Sequence, residues 1–294
     1  MFGVSYGTRL ALEAARRHPE GIESLVLDSV YPPEAGGVAW LEHNGVDAID
    51  RLVEGCLAEP GCAAKFPGLA ANIETAMASL DAQPYSTNVE NTFGDPVELQ
   101  LTGADMYASV FEALYDSNVI PFLPYVIALA GFGGNFEFLG QAASDAVPGL
   151  TRFAEGARYS IDCVDGGQFI DDEGAALADS LLAHPELATL YQGQAVPFCA
   201  IWDVAPAPVE FTQPVVSDIP TLILAGEFDP VTPVWQSELA AATLSNAELF
   251  VFPGFGHAVS FDGDCSASLV REFLVESTVI DEGCWAALSP ITFP

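Results

Sequence analysis

The sequence contains a single lysine, Lys65, and only eight basic residues against 41 acidic ones, a formal net charge of −33 over 294 residues. A surface of that sign repels polyphosphates and anionic headgroups, which excludes nucleic acid and anionic membranes as partners. No apolar run reaches the roughly 18 residues that cross a bilayer, so membrane insertion is not expected. Histidine is scarce, with four in all, and neither histidine nor cysteine recurs at the spacing of a zinc site. No metal or other cofactor is expected. Internal repeats and low-complexity stretches are also missing. Because the acidic residues are scattered rather than clustered, the surplus reads as a solubility adaptation to salt rather than as a surface for cationic peptides.

What is present begins with 50% hydrophobic residues. That is ample for a buried core, in one domain with an insertion or in two domains. The most specific pattern comes at once. Gly3-Val4-Ser5-Tyr6-Gly7 is a G-x-S-x-G turn, which exposes a serine on a sharp strand-to-helix bend. Thr8–Arg17 continues as a helix with an apolar stripe at Leu10, Ala11, Ala14 and Ala15. His18-Pro19 ends it, and Ile22–Val30 reads as a strand of the kind buried in a parallel sheet. Both glycines are expected to leave room beside the hydroxyl.

A serine alone is a poor nucleophile and needs a base and an orienting acid, which on this fold follow in the order Ser, Asp or Glu, His. Pro220–Gly226 is a buried-strand pattern that runs into Glu227-Phe228-Asp229-Pro230 and presents Asp229 at its carboxyl end. Ala247–Phe252 is another strand, leading through Pro253-Gly254-Phe255-Gly256 to His257. The expected roles are Ser5 as nucleophile, His257 as the base that takes and returns its proton, and Asp229 as the acid that fixes the imidazole tautomer. The backbone N–H of Tyr6 is the expected oxyanion donor. Thr232, three residues past Asp229, is placed to hydrogen-bond in the acid's turn or to cap the next helix.

The six cysteines allow 15 pairings, and sequence alone leaves the choice open. Proximity makes Cys56–Cys62, Cys163–Cys199 and Cys265–Cys284 the simplest set. Loop-closure entropy gives these roughly 2, 4 and 3 kcal/mol respectively. An even count without metal spacing points to an oxidising compartment.

Proline-rich stretches mark a long insertion between the second strand and the third: Tyr31-Pro32-Pro33 opens it, and Ala205-Pro206-Ala207-Pro208 with Gln213-Pro214 closes it. Three regions follow: residues 1–32 and 214–294 as core, and 33–213 as a cap. Helical spacing dominates the cap over Val46–Leu57, Leu69–Leu80, Gly103–Leu114 (with Thr102 as its cap residue), Ile120–Ala130 and Glu173–Ala183. The aromatic residues Phe132, Phe136 and Phe138 belong to the cap core or line an apolar pocket.

The segments Gly3–Thr8, Leu25–Val30, Gly226–Pro233 and Gly254–His257 together resemble the tripeptidyl-aminopeptidase-like branch of the α/β-hydrolases, which is related to the proline iminopeptidases. The resemblance implies an α/β-hydrolase fold with a helical cap. It also implies a serine exopeptidase, secreted or envelope-associated, that releases short peptides from free N-termini, with some relatives acting as esterases. The substrate is then a peptide or a small ester. Ser5, Asp229 and His257 fall on the family's triad positions, and the resemblance implies the same three local disulfides. Asp165, in Cys163-Val164-Asp165, matches a family Cys-x-Asp pattern and is the candidate to hold a substrate ammonium group. The family places several strands, and the loop with the second oxyanion donor, ahead of the elbow. Here only Met1 and Phe2 precede Gly3, so the expectation is a partial, N-terminally truncated core with no visible signal peptide. The alternatives to the exopeptidase are a carboxylesterase or lipase on the same fold and an inactive truncated remnant.

Overall fold

The computed structural model describes residues 1–35, 41–147, 154–166, 198–202, 204–279 and 282–294. Its central sheet has four parallel strands in the spatial order β1 (Phe2–Val4), β2 (Leu25–Asp28), β5 (Thr221–Gly226), β6 (Ala247–Phe252). Every residue of β2 and β5 is buried. The alternation of a strand sends neighbours to opposite faces, so these continuous apolar runs feed two cores. Leu25, Leu27 and Ile223 pack with Ala11, Leu12 and Ala15 of α1 (Tyr6–Arg17) and with Ala240 of the helix Val234–Thr243. Val26, Leu222 and Leu224 pack on the other face with Phe250, Phe252, and Leu269 and Phe273 of the helix Asp264–Glu276. Helices on both faces of a parallel sheet, with a serine elbow between β1 and α1, make this an α/β-hydrolase fold.

Between β2 and β5 the chain leaves the sheet and builds a second core. Its helices are α2 (Leu41–Ala58), α3 (Pro60–Lys65), α4 (Leu69–Ala82), α5 (Gly103–Ala113), α6 (Leu123–Gly133), α7 (Glu137–Ala146) and α8 (Glu155–Gly166). Leu52, Ile73, Met106 and Ile127 are completely or almost completely buried in one cluster there, and Phe228 and Phe293 of the C-terminal region join it. Thr102 caps α5 as its sequence suggests: its amide and hydroxyl donate to Asp105 Oδ2 at 2.7 and 2.8 Å. Ile120–Phe122 is a single 3-10 turn ahead of α6 rather than part of the helix, because Pro121 and Pro124 each remove an amide donor. The expected helix Glu173–Ala183 lies outside the described residues.

The insertion is not purely helical. Tyr85–Glu90 (β3) and Pro96–Leu101 (β4) pair as an antiparallel hairpin, turned at Gly94 with φ 82°. Its signal is the two-residue alternation of Val97, Leu99 and Leu101, which a search for 3.6-residue spacing passes over. Of the three phenylalanines, Phe136 and Phe138 pack against the cap core, whereas Phe132 is 74% exposed. All three proximity disulfides are formed.

Candidate active site

The elbow is built by close backbone contact. Ser5 has φ 56°, a left-handed conformation that a residue with a side chain adopts only under local constraint. Its amide is held by Asp28 O at 2.9 Å. A Cβ on Gly3 would lie 2.4 Å from Gly7 O, so glycine is required there. The same requirement does not extend to Gly7, where an added Cβ meets nothing within 4 Å. The turn is pinched on one side only, which corrects the expectation that both glycines make room. Because α1 starts at Tyr6, that residue's N–H is one of the helix's unsatisfied donors, and it makes no hydrogen bond among the described residues.

Asp229 and His257 meet as their order suggests. His257 Nδ1 lies 2.9 and 2.8 Å from the two Asp229 oxygens. Asp229 is buried, and donors from its own turn surround it: Val231 N and Thr232 N on Oδ1, each at 2.9 Å, and the Thr232 hydroxyl on Oδ2 at 2.7 Å. Thr232 therefore serves the acid's turn. Burial alone would push the Asp229 carboxyl up, but the imidazole beside it and the Thr232 donors outweigh this and hold it below the ordinary value. Burial likewise pushes His257 down, yet the charge and hydrogen bond of Asp229 prevail and raise its pKa above 6.5. With Nδ1 committed to the acid, Nε2 is the nitrogen free to take a proton.

What brings this pair beside the elbow is the end of β2. Asp28, fully buried, accepts from the amide (2.8 Å) and the hydroxyl of Ser260, and Ser29 Oγ accepts from Ala258 N at 2.8 Å. One strand end thus holds Ser5 through its backbone and the histidine loop through two side chains. Four non-glycine residues among those described have positive φ, and three of them sit here: Ser5, Ser29 (56°) and Ala258 (66°). The acid and histidine loops also touch through bare backbone, since a Cβ on Gly226 would lie 1.9 Å from Gly256 O. From the cap, Tyr115 sets its ring edge-on to His257 at 5.1 Å, and Ser117 Oγ accepts from Gly256 N at 3.1 Å.

Sequence reasoning missed Asp28, Ser29, Ser260 and Tyr115. Asp28 and Ser29 lie in the Leu25–Val30 segment that carries the family resemblance, and Tyr115 is the last of three aromatic residues four apart (Tyr107, Phe111, Tyr115) whose rings contact in series. Asp165 does come to the site, where Tyr6 Oη donates to its Oδ2 at 2.8 Å and Arg9 Nε lies 3.3 Å from the same oxygen. Its charge is therefore already partnered within the protein. Ser5 Oγ makes no hydrogen bond among the described residues.

Residues 186–284 match the family model described as TAP-like protein. This stretch carries Asp229, His257 and the Cys265–Cys284 disulfide. Residues 186–284 are a TAP-like segment. Over 299 aligned residues the chain is 24% identical to the serine protease Hip1 of Mycobacterium tuberculosis and of Mycobacterium bovis, covering 96% of this chain and 56% of those proteins. The chain thus spans little more than half the length of these curated relatives. Among solved structures, an α/β hydrolase from a Medee basin deep-sea metagenome library aligns at TM-score 0.35 and 15% identity, over 95% of this chain and 66% of that one. A meta-cleavage product hydrolase from Pseudomonas fluorescens aligns at 0.37 and 12%, over 94% and 62%. Superpositions this loose add nothing to the topology described above. Ser5 lies outside the TAP-like segment, so the elbow and the acid–histidine pair are two separate signals that the fold brings to the carboxyl end of one parallel sheet.

The raised pKa of His257 has a direct consequence for a base. The imidazole accepts a proton only when neutral, so a rate that depends on it rises with pH through a midpoint above the ordinary 6.5. A pH profile of kcat/KM, or of the rate of phosphonylation of Ser5, measures that midpoint. A midpoint below 6.5 would show that burial, not Asp229, controls the imidazole.

Proposed function

We propose that the chain carries the catalytic triad of a serine hydrolase of the peptidase type, acting on short peptides with a free N-terminus. Ser5 Oγ attacks the scissile carbonyl carbon as His257 Nε2 takes its proton, and Asp229 stabilises the imidazolium through Nδ1. The Tyr6 N–H donates to the developing oxyanion. Collapse of the tetrahedral intermediate breaks the C–N bond, and the leaving amine departs with the proton from Nε2. Water then repeats the sequence on the acyl-enzyme and releases the acid.

The observation that carries this reading is the contact of His257 Nδ1 with buried Asp229 at 2.8 Å on a loop tied to the strand end that also holds Ser5. The TAP-like segment and the likeness to Hip1 support peptide chemistry over other acyl transfers. Three formed disulfides support residence in an oxidising compartment, and among the described residues no helix is long and apolar enough to cross a membrane.

The test compares three chromogenic substrates, a free-N-terminus tripeptide amide, its N-acetylated form and a short acyl ester, alongside labelling by a fluorophosphonate. The expected result is labelling that Ser5→Ala abolishes, with the free tripeptide amide cleaved fastest. Turnover of the ester alone would make the protein an esterase. A folded protein whose Ser5 does not react with the probe would overturn the reading altogether.

A further inference from the structure

The insertion leaves the sheet and returns to it past one side chain. Arg9, four residues beyond Ser5 on α1, is 5% exposed although it is charged. Its guanidinium donates to Pro32 O at 3.3 Å and Pro33 O at 3.2 Å, where the chain leaves for the cap, and to Phe211 O at 3.4 Å, where it comes back. It lies over the Tyr31 ring at 4.8 Å and pairs with Asp165 on α8. A buried guanidinium is stable only with its donors satisfied and a counter-charge beside it, and here its partners among the described residues all come from the insertion or its junctions.

Asp165 then reaches back to the elbow, where its Oδ2 accepts the Tyr6 hydroxyl at 2.8 Å. Tyr6 is the residue after the nucleophile, and its amide is the oxyanion donor of the proposed mechanism. Burial first, and then the bond to Asp165, raise the Tyr6 phenol well above its ordinary pKa, so it remains a donor at any working pH. The end of α8 is itself anchored, by Cys163–Cys199 and by Ala207 N donating to Val164 O at 2.7 Å.

We propose that Asp165 and Arg9 form a latch that holds the Tyr6 side chain, so that the oxyanion donor at Tyr6 is aligned only while α8 is seated on the elbow. Asp165 is then a positioning residue that acts through Tyr6, not a ligand for the substrate's ammonium group. The catalytic consequence rests on the serine-hydrolase reading; the contact itself does not. A carboxylate whose charge is balanced by a buried arginine is a weak counter-ion for a second cation. It is a strong acceptor for one hydroxyl, since hydrogen bonds to ionised groups are roughly twice as strong as neutral ones.

The two roles of Asp165 separate experimentally on an uncharged substrate. In Asp165→Asn and in Tyr6→Phe, loss of the latch lowers kcat on a short acyl ester by about tenfold or more, a part of the 100- to 1000-fold that losing an oxyanion donor outright costs, with KM nearly unchanged. The double variant is no slower than either single one, and Asp165→Glu recovers part of the rate. An ammonium ligand predicts the opposite: a raised KM on free-N-terminus peptides, no effect on the ester, and no effect of Tyr6→Phe. That result would overturn the proposal. A second readout needs no turnover. Hydrogen exchange in the peptide spanning residues 3–8 speeds up in Asp165→Asn if the latch restrains the elbow, and unchanged exchange there also overturns it. If the wild-type protein reacts with neither ester nor fluorophosphonate, the exchange experiment still decides on the latch, while the serine-hydrolase reading falls separately.

Discussion

Asp229→Asn is expected to lower kcat by about four orders of magnitude while leaving the fold intact, the size of effect seen when a triad acid becomes an amide. The direction follows from the donors around the carboxylate. Val231 N and Thr232 N both point at Oδ1, so the oxygen of the new amide settles there. Its NH2 then occupies the Oδ2 position, facing the Thr232 hydroxyl and His257 Nδ1. The hydroxyl can rotate and accept, but Nδ1 can accept only by giving up its proton. The imidazole is driven to the tautomer with the proton on Nε2, which cannot accept one from Ser5. Removing the charge also leaves burial as the main influence on His257, so the pH midpoint of the residual rate moves down. Single-turnover phosphonylation across pH, with a circular dichroism check of folding, measures both effects. A variant within tenfold of wild type would remove Asp229 from the mechanism and direct attention to Asp28, the other buried carboxylate whose charge reaches the imidazole.

The parts of this site that were legible in the sequence are those whose signal is local. A G-x-S-x-G turn needs close backbone approach, which leaves glycine at position 3. Buried parallel strands need continuous apolar runs, which appear as Leu25–Leu27 and Thr221–Ala225. Asp229 and His257 each stand just beyond such a run, where open α/β sheets place reactive groups. The hairpin at 85–101 is not legible in the sequence because its alternation is short and weak beside the helical spacing around it. Asp28 illustrates a deeper reason. In the sequence it is the polar end of an apolar strand; its importance comes from Ser260, 232 residues away, and no local pattern encodes a pairing at that range. Asp165 shows the same limit from the other side. A short motif marked it as significant, but only the tertiary contacts with Arg9 and Tyr6 reveal that its charge is already taken.

These long-range contacts share a direction. The acid loop and the histidine loop lie on the core, yet each is tied to the insertion. Tyr115 and Ser117 bear on the histidine loop, and Asn44 of α2 donates to Val231 O at 2.8 Å in the acid's turn. An insertion that merely shaded the site would make no such contacts. The proposed triad is therefore expected to depend on how the cap is seated.

Phe228 puts that dependence to a quantitative test. It immediately precedes Asp229 in the core's acid loop, but its ring is completely buried in the cap cluster. It faces Gly55 of α2 and shares that neighbourhood with Phe293. Replacing it with alanine removes a completely buried ring from that cluster, so Phe228→Ala is expected to cost about 3–5 kcal/mol. For a chain of this size that corresponds to a fall of roughly 5–10 °C in Tm. Phe228→Leu, which refills most of the volume, should recover more than half of the loss. Because the ring belongs to both halves, cap and core should still unfold in one transition in both variants, and the alanine variant should also lose rate through displacement of Asp229. A loss below about 1 kcal/mol would mean the ring fills no well-packed site. Two resolved transitions in the wild-type protein would mean that the cap folds independently of the core, and the dependence of the triad on the cap would fail with it.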